Sequence, residues 1–214
     1  MRDAYHEELD SLTDKLVEMT RLVRSAISRA TTALLDADLQ LAESVISRDE
    51  EVNRIFAEIE TTIFELMARQ QPVAVDLRMV ITALRMGTDL ERMGDLAGHV
   101  AKVARLRHPD SAIPPEMRST ILEMGQIAEN LITKAGSSVA SRDVESALEL
   151  EQDDDAMDRL HRRLFRRILS KDWAHGVEPA IDITLIGRYY ERYADHSVRV
   201  ARDVVYLVTG SRPG

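Results

Sequence analysis

The apolar positions of this chain recur with helical spacing almost from end to end. Leu9, Leu12, Leu16, Met19, Val23, Ala26, Ala30 and Ala33 alternate steps of three and four. That heptad stripe predicts a helix over 3–36 with one face made for bundle packing. Asp36-Ala-Asp38 breaks the stripe, and Asp38 is a candidate N-cap for the next helix. A second stripe, Ala42, Val45, Asp49, Val52, Phe56, Ile59, Ile63 and Leu66, predicts a helix over 38–69. It stops before Pro72, because proline pushes its predecessor out of the α region. The third helix, over 73–107, is apolar nearly all round, with Val80, Ile81, Leu84, Leu90, Ala97 and Val100 on more than one stripe. Such a helix should lie buried between neighbours. Gly87, Gly94 and Gly98 each weaken it by about 1 kcal/mol relative to Ala, which close backbone approach would explain.

His108-Pro-Asp-Ser-Ala-Ile-Pro-Pro115 reads as a linker. Beyond it three more helices are predicted, over 115–141, 143–171 and 179–209, followed by a frayed Ser-Arg-Pro-Gly tail. The fifth repeats the second: a shift of 105 places Asp154 on Asp49 and Asp158 on Asn53. The sixth repeats the third: Asp89-Leu-Glu-Arg-Met-Gly-Asp95 returns 100 residues later as Tyr189-Tyr-Glu-Arg-Tyr-Ala-Asp195. The chain therefore reads as all-α, two tandem similar three-helix bundles over 1–109 and 110–214.

Composition narrows the class. Hydrophobic residues make up 44% and charged residues 30% of the chain, as in folded globular domains. A net charge of -9 argues against nucleic acid as a partner. No uncharged apolar run reaches membrane-spanning length, and Met-Arg-Asp-Ala-Tyr-His-Glu-Glu is too acidic for a signal peptide. A cytoplasmic location is expected. The absence of cysteine removes disulfides and thiolate metal sites.

The chemistry lies in the repeated acids. Glu91 and Asp95, like Glu191 and Asp195, stand one turn apart on one face of a buried-type helix. Asp49 and Asp154 interrupt otherwise apolar stripes. Each half thus offers four oxygen-bearing residues to one seam: Asp49, Asn53, Glu91 and Asp95, then Asp154, Asp158, Glu191 and Asp195. Unpaired core carboxylates are costly, so something must neutralise them. Arginines such as Arg92 and Arg192 would do so as plain ion pairs, and a wet seam would relieve the repulsion. A bound cation is the functional reading. All-oxygen ligands suit Mg²⁺, Mn²⁺ or Ca²⁺, whereas His99, His161 or His196 would bring in iron or zinc. The Glu-x-x-His motif of carboxylate-bridged di-iron bundles is missing, as are a P-loop, a nucleophile elbow and a Gly-rich phosphate cradle.

Leu90-Glu-Arg-Met-Gly-Asp-Leu-Ala and Tyr190-Glu-Arg-Tyr-Ala-Asp-His-Ser resemble the twice-repeated Glu-Arg-x-x-Asp signature of the PhoU family, and Asp76-Leu-Arg78 also fits. The resemblance covers about residues 5–208. Four residues after each signature Asp the family usually has Asn; here His99 and Arg199 stand there, and of these only His99 can bind metal. The resemblance implies two similar three-helix bundles, carboxylate-bound iron, zinc, magnesium or manganese, and a homodimer. It implies no enzyme activity. It places the protein in the cytoplasm, at the membrane only through its partners, a phosphate ABC transporter ATPase and a sensor histidine kinase. There it would repress phosphate-starvation genes when phosphate is plentiful. The alternative is a metal storage or buffering bundle without a signalling partner. A third class, a metal-dependent phosphohydrolase, would need an open coordination position.

Overall fold

The computed structural model describes residues 2–212, with side chains from residue 7 onward apart from Glu151. Pro213 and Gly214 of the expected frayed tail lie outside the described residues. Six α-helices follow one another: α1 (Arg2–Asp36), α2 (Leu39–Gln70), α3 (Ala74–Arg107), α4 (Arg118–Ser141), α5 (Val144–Ile168) and α6 (Val177–Thr209). No strand occurs among the described residues.

The turns explain the helix ends. Ala37 takes a left-handed conformation (φ 51°), and the Asp38 carboxylate then accepts the Leu41 N–H at 2.9 Å, as an N-cap should. The second half repeats the device 105 positions on, with Arg142 left-handed and Asp143 accepting the N–H groups of Glu145 and Ser146. Gln71 turns α2 off ahead of Pro72. The fourth helix starts later than its prolines suggest, because Pro115–Met117 form a 3-10 turn first. The fifth ends at Ile168 rather than 171. The sixth starts at Val177, so Pro179 falls inside its first turn, where its missing N–H costs nothing.

Helices α1, α2 and α3 pack on one another, as do α4, α5 and α6. The halves then join through α1 on α4 and α3 on α6, leaving α2 and α5 as outer flanks. Contacts of Arg107 with Asp182, Asp89 with His196 and Arg85 with Asp203 show α3 and α6 running antiparallel. One apolar core runs through both halves, from Leu12 on α1 to Val204 on α6. Two buried tyrosines of α6 reach across it. Tyr193 donates to the Val23 carbonyl at 2.9 Å, and the Tyr190 hydroxyl meets Thr31 Oγ1 at 2.7 Å.

Close approach accounts for Gly87 and Gly94 but not for Gly98. A Cβ on Gly87 would lie 2.9 Å from the Phe56 ring, and one on Gly94 would lie 2.7 Å from Asp49 Oδ1. A Cβ on Gly98 would meet nothing within 4 Å, so packing does not require that glycine. The third helix is also less enclosed than its all-round apolarity implies. Ile81 is 44% exposed.

Candidate functional site

The α2–α3 seam brings Asp49, Glu91 and Asp95 together as half-buried acids. Gly94 makes the approach of α2 possible, since any side chain there would collide with Asp49 Oδ1. That oxygen is buried and has no hydrogen-bond partner, and a small cavity of about 40 Å³ lies beside it between α1, α2 and α3. Burial pushes the Asp49 carboxyl up, and Asp95 adds to this; Lys102, His99 and hydrogen bonding from Asn53 pull the other way. Glu91 is raised by burial and then by Asp95, against Arg92, with Asp49 and Glu60 adding to the rise. Asn53 is solvent-exposed and touches the cluster only through Asp49. His99 stacks on Tyr189 of α6, with ring centroids 5.2 Å apart, and its Nδ1 is buried without a partner.

The α5–α6 seam repeats the arrangement with Asp154, Glu191 and Asp195 half-buried and Asp158 exposed. Burial first, then Asp195, Asp158, Glu191 and Asp155, push the Asp154 carboxyl up to about 6. His161 occupies the place of Phe56 in the first half. It packs on Gly187 as Phe56 packs on Gly87, and its Nε2 is buried without a partner. His196 is not brought to this seam. It is buried on the opposite side of α6, where its Nδ1 lies 2.7 Å from Asp89 Oδ1 of α3. The reason is angular: a residue next to Asp195 on a helix points about a quarter-turn away.

Arginine pairing is present but partial. Arg92 Nη1 donates to Asp95 at 2.6 Å, and Arg188, rather than Arg192, donates to Glu191 at 2.5 Å. Both are local pairs open to water and contribute little. Neither reaches Asp49 or Asp154. Glu60, Lys102 and Asp155 join the seams without having been singled out by the repeat; their helical registers, in line with Asp49, Asp95 and Asp158, were the available signal.

An all-oxygen donor set with an orphaned buried carboxylate oxygen fits a hard cation in kind. Among the described residues, as placed, no three acidic or imidazole side chains close around a point that would hold an ion. Loading would therefore require carboxylate rotation across the seam. Glu91 and Asp95 keep enough exposure to rotate, whereas the Asp49 Oδ1 that they would turn towards is buried.

The two seams have the same design in each half, and a family model described as "PhoU domain" matches each half separately, over residues 16–104 and 121–204. The chain belongs to the PhoU family. It is 49% identical over 213 residues to the phosphate-specific transport system accessory protein PhoU homolog 2 of Mycobacterium tuberculosis, covering 100% of both chains. It is also 49% identical to PhoU homolog 1 of Mycobacterium leprae, covering 100% of this chain and 96% of that one. The crystal structure of PhoU from Pseudomonas aeruginosa superposes with a TM-score of 0.90 at 29% identity, covering 97% of this chain and 100% of that one. The PhoU fold thus spans the whole chain. No helix among its described residues is long and apolar enough to cross a membrane.

Proposed function

We propose that this protein is an accessory regulator of phosphate-specific transport that acts by binding, not by catalysis. The observation that carries the reading is full-length likeness to proteins named for that role, at 49% identity over all of both chains. In this reading it works in the cytoplasm as a homodimer and meets the membrane only through its partners, the transporter ATPase and a sensor histidine kinase. When phosphate is plentiful it holds the kinase in its non-activating state and restrains uptake. The acidic seams fit the same role as cation sites that set the shape presented to those partners. Asp49, Glu91 and Asp95, with His99 beside them, would hold one ion; Asp154, Glu191 and Asp195 would hold another, with Asn53 and Asp158 at the rims. The ion, whether iron, zinc, magnesium or manganese, would supply the positive charge that the seams lack.

Deleting the gene in a host without a second copy should raise phosphate-starvation gene expression in phosphate-rich medium. Unchanged expression would overturn the regulatory reading and favour a storage bundle.

A further inference from the structure

The antiparallel seam of α3 and α6 opens at one end into a cleft of about 510 Å³. Arg85 and Asp89 line it from α3, Arg199, Arg202 and Asp203 from α6, and Arg212 from the tail. Four guanidinium groups thus face two carboxylates, in a chain whose formal net charge is -9. The two acids do not use up Arg85 or Arg199. Arg85 Nη2 binds Asp203 Oδ1 at 3.0 Å, yet Nη1 of the same guanidinium is buried with no hydrogen-bond partner. Asp203 is itself 3% exposed, and its Oδ2 is unpartnered. Asp89 Oδ1 is taken by His196 at 2.7 Å, and Arg199 Nη1 stays 3.9 Å from it. Arg212 is held at the cleft with its guanidinium 5.3 Å from the centre of the Tyr206 ring.

A plain reading would make these charges the glue of the helix pair. The internal repeat argues against it. A shift of 100 turns Arg85 into Leu185, Asp89 into Tyr189, Arg199 into His99 and Asp203 into Val103. At the equivalent place near the other end of the seam these four positions are apolar, aromatic or imidazole, with His99 stacked on Tyr189, and the ionic contact of that end, Arg107 with Asp182, lies elsewhere along the helices. The repeat therefore does without this particular ionic set at the matching position. Unpaired buried N–H and carboxylate groups cost stability, which a packed apolar pair would not.

We propose that this cleft binds a small soluble polyanion of phosphate chemistry, with two or more linked phosphoryl groups, through Arg85, Arg199 and Arg212. Guanidinium forks match phosphate oxygens two at a time, which a compact ammonium does not. A cleft of about 510 Å³ has room for more than one tetrahedral anion. With four guanidinium groups against two carboxylates the lining is positive on balance, so attraction grows with the number of charges on the ligand. Burial pushes the Asp203 carboxyl up to about 6 despite Arg85 beside it, which weakens its opposition to an anion in mildly acidic solution.

The test is calorimetric titration of the full chain with inorganic tripolyphosphate, in EDTA and low salt, beside orthophosphate, pyrophosphate and ADP. EDTA removes metal and no transport partner is present, so the outcome is independent of the regulatory reading above. Saturable binding of one tripolyphosphate per chain, tighter than orthophosphate, is expected. Tighter binding of ADP than of its inorganic counterpart would assign a nucleotide source. Arg199→Gln with Arg212→Gln removes two charges at the cleft mouth and should weaken binding about tenfold or more, while circular dichroism shows the helices kept at the titration temperature. Arg163→Gln with Arg166→Gln, which removes as much charge on the exposed end of α5, should leave it within about twofold. Absent saturation, or equal loss in both double variants, would overturn the proposal.

Discussion

Replacing Asp154 by Asn should stabilise the metal-free protein, and the structure sets the size of the effect. The Asp154 carboxyl is pushed from 3.8 to about 6 by burial and by four neighbouring acids. Two units correspond to about 3 kcal/mol of preference for the neutral form. The side chain is only half-buried, and solvent screening brings this to about 1–2 kcal/mol. The sign comes from linkage. A carboxyl with a raised folded value holds its proton more tightly in the native state, so native stability falls as pH rises from about 4 to about 6. Above about pH 7 the full cost stands; below about pH 4 both states are protonated and it vanishes. Asp154→Asn removes the charge and keeps the shape. In EDTA near pH 7.5 its thermal midpoint should rise by roughly 2–8 °C for a chain of this size. The gain should shrink near pH 5 and close near pH 4. Added Mn²⁺ or Mg²⁺ should reverse the order. At ~100 times the dissociation constant a bound ion contributes roughly 2.7 kcal/mol to the wild type, and the variant should lose that gain at its second seam. A variant less stable than wild type in EDTA near pH 7.5 would refute the reasoning, because it would mean that Asp154 sits in a favourable ion pair.

The double change Glu91→Gln with Asp95→Asn should leave the metal-free protein at least as stable as wild type while abolishing the first seam's share of metal stabilisation. Thermal melts with EDTA and with Mn²⁺ check this, and a loss of about 3–5 kcal/mol would mark a buried ion pair instead. Gly94→Ala should cost stability although Ala is the better helix former. Its Cβ would lie 2.7 Å from Asp49 Oδ1, and an overpacking cost of about 1–3 kcal/mol outweighs the about 1 kcal/mol of helix propensity. Denaturant melts showing a more stable Ala variant would mean that Asp49 moves aside freely.

The helices were readable because period and punctuation agree. Asp38 caps α2, and the 105-residue shift carries the same cap to Asp143. Asp49 and Asp154 could be singled out because each breaks an apolar stripe, and both lie in the seams. What resisted reading was direction on helices apolar all round. His196 adjoins Asp195 in sequence but faces Asp89, and no periodicity on α6 distinguishes its two buried sides. Partners far apart in the chain were equally hidden. The Arg107 guanidinium clasps Asp182, 75 residues on, and Arg85 pairs with Asp203; both acids lie on the buried stripe of α6. The union of the halves through α1–α4 and α3–α6 came from the same cause, since each half alone has the pattern of a complete bundle.

The repeat also shows where the halves parted. Asp49 and Asp154 are equivalent, yet Lys102 and His99 draw the Asp49 carboxyl down, while the main influences on Asp154 all raise it. The position equivalent to His99 is Arg199, which lines the cleft between α3 and α6, and neither it nor Arg202, the equivalent of Lys102, is among the main influences on Asp154. With Arg199 at the cleft, the second seam lacks the relief that His99 gives Asp49 in the first. Arg188 meets Glu191 in the second seam, but Asp154 is left without the relief that Lys102 and His99 give Asp49, so its charge falls to protons or bound ions. The pH and metal dependence of Asp154→Asn measures that difference.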